Sequence, residues 1–364
     1  NLQDADVVGH GPFQFVSWTF GVETLVARNE DFFTGVDAQT GIVFDALLTS
    51  ILKKPTTDGI RFLPFASADL CAYALNISAV DFCHANLPPS VVPDLRNNTA
   101  VAIELNAEPG FFYMGYNMRK APFGYLMNDS ANDVGYWFRQ AVPHLADKRY
   151  FVDILLQGLA IVGHGFVSPA NTFWYNDFIP KPVYNLTEAR AVLDSPQAQA
   201  VGIGVDPPGV CSWATPGGCR QLPGTGNATF EILTPEMSYD PVRATAGAMI
   251  AQSMRDVGLN ANATGLPFSA LVNRIYQVAF DMYILGWRIG GTDPDYLYSF
   301  FHSSNEAPLG QNYPGFRNAT FDAVIDASRA ELDRGVRQGL IFQAQSILSD
   351  ARPYEVLYYR TNVE

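Results

Sequence analysis

The stretch DMYILGWRIGGTDPDYLYSFFHS, residues 281–303, decides how the rest of the chain is read. Its apolar run through Met282 and Ile284 reads as a buried strand that ends at Gly286. Trp287 follows, then Gly290 and Gly291, whose backbones reach conformations closed to other residues. Asp293 and Asp295 stand where either can cap a helix that begins in the aromatic run after them. Read plainly, this is a strand, a turn and a capped helix. Read for function, it is a ligand-facing loop at the carboxyl end of a strand, where open α/β sheets place their binding sites.

Outward from this stretch the chain alternates β and α signals. Towards the amino end, GPFQFVSWTFGVETLVARN reads as two strands turning near Gly21, IRFLPF as a strand, ADLCAYAL as a short helix, and AVDFC as a compact buried strand. VAIEL and FFYMGYNM are further strands. From Tyr136 helical spacing takes over in GYWFRQAVPHLA and DKRYFVDILLQGLA, and NLTEARAVLD carries a capping box with Asn185 at the N-cap and Glu188 three residues on. FEILT, DPVRATAGAMIAQSMRDVG, LNANA and PFSALVNRIY then make strand, helix, strand and helix before the opening stretch. Two helices, NATFDAVIDASRAELD and RQGLIFQAQSILSD, lead to a last strand, YEVLYY. Such alternation predicts an α/β protein.

The length of 364 residues predicts two lobes rather than one core. Hydrophobic residues make up 48% and charged residues 16%, while aromatics reach 13%, which fits a large interior and a stacking pocket. A net charge of −13, with 23 basic residues and no basic run, excludes a phosphate-backbone partner, so no nucleic acid is expected. No stretch approaches the roughly 18–20 apolar residues that span a bilayer. The chain opens NLQDADVVGHGPF, without Met or a basic-then-apolar leader, and is read as a mature start or a piece of a longer chain.

The four cysteines fall into two local pairs, Cys71 with Cys83 and Cys211 with Cys219, without CxxC spacing. Two disulfides and an oxidising compartment are expected; free buried cysteines are the alternative. Sequons at Asn76, Asn97, Asn128, Asn185, Asn227, Asn262 and Asn318 exceed the ~2 that chance gives and point the same way, to an exported glycoprotein. The histidines are scattered, with no HxH or HExxH, so no metal site is expected. There is no GxSxG elbow, no GxxxxGK[ST] loop and no GxGxxG between strand and helix. No catalytic residue and no cofactor is therefore assigned, and His164 in its GHG turn is read as structural.

Taken in order, seven segments resemble the extracellular solute-binding proteins of family 5, the peptide, nickel and oligosaccharide receptors that feed ABC importers. They are GPFQFVSWTFGVETLVARNEDFF, IRFLPFASADLCAYALNISAVDF, YMGYNMRKAPF, YWFRQAVPHLADKRYFVDILLQGLA, ILTPEMSYDPVRATAGAMIAQSMRDVGLNA, FDMYILGWRIGGTDPDYLYSFFHS and NATFDAVIDASRAELDRGVRQGLIFQAQSIL. The resemblance implies a two-lobed, type II periplasmic-binding-protein-like α/β fold. Family members usually carry a long region before the GPF strand, so lobe I is expected to be incomplete and to expose apolar surface. Residues 1–115, with 352–364 returning, are assigned to lobe I and 116–351 to lobe II, with hinge crossings near Tyr113–Asn117 and Pro353–Tyr358.

The implied function is an extracytoplasmic substrate-binding protein, at the periplasm or cell surface, that captures a small-molecule or peptide ligand between its lobes and delivers it to ABC permease subunits. An oligosaccharide ligand is the alternative, and a hydrolase or sensory receptor using the same cleft is the reading from another class. The resemblance makes Trp287 an aromatic wall and Asp293 and Asp295 the residues that order the next helix. Peptide-binding relatives commonly place an Asp three residues after this Trp and some an Arg two residues before the Gly of the GW pair; here those positions are Gly290 and Ile284. Arg288 and Arg274 are nearby cations. Phe268, Tyr296, Tyr358 and Tyr359 are further aromatics for the cleft, with only one of the last two able to face it. The site assigned is thus Trp287, Arg288, Gly290, Asp293, Phe268 and Tyr358.

Overall fold

The computed structural model describes residues 11–30, 55–83, 89–124, 133–206, 218–223 and 229–363, with Gly9, Phe32, Leu87 and Thr225. The chain divides into two compact units, residues 1–101 and 102–364. Cys211 and the sequons at Asn128 and Asn227 lie outside the described residues.

In the first unit β1 (Phe13–Thr19), β2 (Glu23–Arg28) and β3 (Gly59–Phe62) form an antiparallel sheet in that order. The hairpin turns at Gly21, whose φ of 70° costs a glycine no Cβ clash. Helix α1 (Ala68–Asn76) starts where the Ser67 hydroxyl accepts from the Leu70 N–H, and its Cys71 is disulfide-bonded to Cys83. Residues 79–83 form no strand; only Cys83 among them is buried, while Phe82 is exposed. No residue of β1–β3 is buried, and Phe20, Phe62 and Tyr73 also stand exposed.

The second unit is built on a seven-stranded mixed sheet. Its strands are β4 (Leu105–Ala107), β5 (Phe111–Tyr116), β6 (Ala160–Val162), β9 (Phe230–Pro235), β10 (Ala261–Leu266), β11 (Met282–Trp287) and β12 (Tyr354–Val363), and the order β10-β9-β11-β5-β12-β4 has β6 paired to β12. A two-stranded ribbon, β7 (Gly204–Asp206) with β8 (Cys219–Gln221), stands apart; Cys219 is disulfide-bonded. β9 runs parallel to β10 and β11, whereas β11, β5 and β12 are antiparallel neighbours. Every residue of β5 is buried, so both faces of the sheet are covered. The parallel βα units are those read from FEILT onward.

Helices α2 (Val134–Ala141), α3 (Leu186–Leu193), α4 (Pro241–Asp256), α5 (Phe268–Tyr276), α6 (Tyr296–Phe301), α7 (Ala319–Ala330) and α8 (Arg334–Ala351) fall where helical spacing places them. Asn185 caps α3 by accepting from the N–H groups of Thr187 and Glu188, and Asn318 caps α7 from Phe321. These two sequon asparagines thus have a local structural use. The expected continuous helix at DKRYFVDILL is instead one α turn, Lys148–Tyr150, that widens into a π turn, Phe151–Leu155.

Two polar features sit inside this unit. The Lys148 ammonium is ion-paired with Glu355 near the start of β12 and donates to the Gly163 carbonyl at 2.7 Å. His164, just after β6, is kept neutral: burial first, then the charges of Lys148, Lys181 and Arg352, push its pKa from 6.5 down to about 4. The unfolded chain takes up this proton near pH 6.5 and the folded chain only near pH 4, so the contribution is whole above 6.5 and is lost as pH falls towards 4. Wild-type unfolding free energy should therefore drop across that interval in urea titrations, and His164→Asn should drop less. Equal slopes for the two proteins would contradict the assignment.

Candidate ligand-binding site

Three parallel strands, β9, β10 and β11, end at Pro235, Leu266 and Trp287, so their carboxyl ends share one edge of the sheet. The antiparallel β5 enters that edge at Phe111, opposite Trp287, and β12 leaves past it at Tyr358, opposite Phe112. In an α/β sheet this is the edge at which loops collect around a ligand. Two clusters stand there, on opposite faces of the β11–β5 pair.

The first cluster is aromatic. The Trp287 ring lies flat on Phe300, with centroids 4.1 Å apart, and parallel to Tyr313 at 5.6 Å and Tyr113 at 6.5 Å. The stacked geometry adds to area burial in fixing the ring. Trp287 remains half-buried. Gly110, one residue before β5, touches it from below: a Cβ there would lie 2.0 Å from the Trp287 carbonyl oxygen. The close approach of the two backbones therefore requires a glycine.

The second cluster combines cations with rings. Arg243, in the first turn of α4, has its guanidinium 5.7 Å from the Phe112 ring, 5.8 Å from Tyr239 and 5.7 Å from Phe268. Tyr239 and Phe268 stack on each other at 4.9 Å, and Phe112 stacks on Tyr358 at 4.8 Å. Arg360 covers Phe112 from β12 at 4.8 Å. Asp240 is both the N-cap of α4, accepting from the Arg243 N–H at 3.0 Å, and the counter-ion of the Arg243 Nε at 2.8 Å.

The loop 288–295 follows β11 directly. Arg288 and Gly290 are exposed, and a Cβ at Gly290 would meet nothing, so the position is open to a side chain. Asp293 is engaged by both oxygens with Arg337 of α8, each contact 2.7 Å, and those hydrogen bonds hold its carboxyl below the usual range. One of its oxygens also accepts from the Asp295 N–H at 3.0 Å. Asp295 flanks α6 but makes no side-chain cap; it pairs with Arg329 at 2.9 Å. Ordering of the helix start thus comes from Asp293 and two arginines, because Asp295 is already in the helical conformation and its carboxylate points to a neighbouring helix.

Trp287, Phe268 and Tyr358 accordingly reach one edge of the sheet, with Arg288, Gly290 and Asp293 on the loop beside them. Ile284 is fully buried within β11, and Arg274 pairs with Glu231 near the amino end of β9, away from the edge. Tyr358 and Tyr359 are both buried: Tyr358 joins the Arg243 cluster, and Tyr359 bonds the Gly165 backbone through its hydroxyl. Tyr296 donates to the Phe166 carbonyl at 3.1 Å. Arg243 and Arg360 were not singled out from sequence. The signals were present: a capping Asp three residues before Arg243, and the two-residue alternation that puts Arg360 on the face of Tyr358.

A family model described as bacterial extracellular solute-binding proteins, family 5, middle part, matches residues 1–308. The chain belongs to this family. Among its curated relatives, the probable di/tripeptide-binding protein 5 of Pseudomonas aeruginosa is 23% identical over 94% of this chain and 54% of its own length. Heme-binding protein A of Haemophilus influenzae is 23% identical over 96% of this chain and 54% of its own. Solved structures share the fold: the oligopeptide-binding protein AppA from Bacillus subtilis, in complex with a nonapeptide, has a TM-score of 0.68 at 23% identity, covering 97% of this chain and 61% of that one. NikZ from Campylobacter jejuni, in complex with Ni(L-His), has a TM-score of 0.70 at 18% identity, covering 97% and 62%. This solute-binding protein therefore spans little more than half the length of its relatives. Its fold is the family's two-lobed α/β fold, and among the described residues no helix is long and apolar enough to cross a membrane.

Proposed function

We propose that the chain is the ligand-binding part of an extracytoplasmic solute-binding protein of an ABC importer, at the periplasm or cell surface, taking a peptide-like ligand to the membrane permease. The observation that carries this reading is the collection of a stacked indole, an arginine framed by three rings and a second arginine at the carboxyl edge of one sheet. The names of the relatives support it. Peptides, a nickel–histidine complex and heme differ in size and shape, but all carry carboxylate groups. The rings at the edge are largely committed to one another, Trp287 to Phe300, Tyr239 to Phe268 and Phe112 to Tyr358, which favours a charged ligand over a stacked sugar.

The same reading places hinge crossings at 113–117 and 353–358, with lobe I as 1–115 plus 352–364 and lobe II as 116–351. A binding role without turnover is part of the same reading, and so are glycans on the exposed sequons at Asn76, Asn97, Asn185 and Asn262.

A thermal-shift screen against di- to pentapeptides, oligosaccharides and nickel–histidine tests the ligand class. A ligand at 100 times its Kd adds about 2.7 kcal/mol, so a shift with peptides, recovered intact afterwards, is expected. A shift with oligosaccharides alone, or cleavage of the peptide, would overturn the reading.

A further inference from the structure

The sequon at Asn318 stands apart from the exposed ones. Asn318 is half-buried at the start of α7, where its Oδ1 accepts from the Phe321 N–H at 2.9 Å. The other amide atom, Nδ2, makes no hydrogen bond among the described residues. Nδ2 is the atom on which an N-linked sugar is built. Oδ1 can therefore go on capping the helix while Nδ2 is substituted.

A second observation points to the same spot. A cavity of about 390 Å³ is lined by Asn318 and Thr320 of the sequon and by Ser346, Ile347, Asp350 and Ala351 of α8. That volume falls in the range of small-ligand pockets. Residues four apart are neighbours on a helix face, so α8 offers two adjacent pairs, Ser346 with Asp350 and Ile347 with Ala351. The first pair is polar: one Asp350 carboxylate oxygen accepts from the Tyr136 hydroxyl at 3.1 Å, and the other makes no hydrogen bond among the described residues. The second pair is apolar. A pyranose ring divides in the same way, with hydroxyls round its edge and a C–H face.

We infer that Asn318 carries an N-linked sugar whose first pyranose ring occupies this cavity. The inference deepens the reading of the chain as an exported glycoprotein and rests on it. The co-reactant is a lipid-diphosphate-linked oligosaccharide. The bond between Asn318 Nδ2 and the sugar C1 forms as the bond from C1 to the diphosphate oxygen breaks; the lipid diphosphate leaves with the electron pair and Nδ2 gives up a proton. Once seated, the ring lays its C–H face on Ile347 and Ala351 and turns hydroxyls to Ser346 and Asp350. The sugar thereby ties the first turn of α7 to the last turns of α8.

The test uses the 364-residue chain secreted from an N-glycosylating eukaryotic host. Peptide-N-glycosidase in heavy-oxygen water converts each occupied asparagine into a labelled Asp, which peptide mass spectrometry reads. Asn318 should be occupied. From the native protein its glycan should be released at least about tenfold more slowly than those on the exposed Asn76, Asn97, Asn185 or Asn262, because hydrogen bonds hold the seated ring; after denaturation the rates should converge. Thr320→Ala and Asn318→Asp both abolish the sugar, and Asp keeps the helix cap. Each should lower the Tm of the secreted protein and leave the Tm unchanged when the chain is made in a bacterial host without the transferase. An empty Asn318 beside occupied exposed sequons would overturn this inference alone. Release from Asn318 at the exposed rate, or equal Tm shifts in the two hosts, would put the sugar in solvent and overturn its seat. A secreted protein with every sequon empty would overturn the glycoprotein reading, and this inference with it.

Discussion

Replacing Lys148 by Ala should lower the unfolding free energy by about 3–5 kcal/mol, because it strands the Glu355 carboxylate inside the sheet. Lys148 and Glu355 are both almost wholly buried, and the ammonium is satisfied by Glu355 and the Gly163 carbonyl. Arg352, 3.8 Å from the other oxygen of Glu355, offsets part of the loss and places the effect towards the lower end of the range. The double replacement Lys148→Met with Glu355→Leu removes both charges and should recover most of the stability, since a buried pair stabilises little beyond an apolar pair of similar volume. Urea unfolding of the two variants checks both statements. A single variant as stable as wild type would mean that the pair is solvated in solution.

The second large effect concerns the aromatic cluster. Phe300 is buried and carries the Trp287 ring on its face at 4.1 Å, so Phe300→Ala removes both a filled volume and the support of the indole. A loss of about 3–5 kcal/mol is expected, with a changed Trp287 emission isolated by difference against Trp287→Phe. Phe300→Leu keeps most of the volume without the stacking face, and should fall between wild type and Phe300→Ala in stability. A Phe300→Ala variant with unchanged Trp287 emission would show that the indole is fixed by Tyr313 and Tyr113 instead.

What the sequence disclosed and what it withheld follow from the range of the interactions. Capping by Asn185, the strand at 282–287 and the turn at Gly21 are set by residues within a few positions of one another, and each stands where local patterning places it. AVDFC failed as a strand because its apolar residues serve a disulfide anchor at Cys83 and an exposed Phe82, which periodicity does not separate from a buried strand. The site divides in the same way. Trp287, Phe268 and Tyr358 are visible as aromatics beside turn residues. Arg243 and Arg360 acquire meaning only when β12 is laid against β5 in the observed register, a pairing across more than two hundred residues. Asp293 was legible as an ordering residue, but its partner Arg337 lies two helices further on.

The central claim is that ligand is held at the carboxyl edge of β9, β10 and β11. It is tested most directly by photo-cross-linking a tripeptide that carries a benzophenone group and mapping the adducts on the 364-residue chain by mass spectrometry. The account predicts adducts within 235–240, 266–268, 287–295 and 358–361, reduced by excess unlabelled peptide. Adducts that resist competition, or that gather on α7 and α8 and spare these four segments, would contradict it.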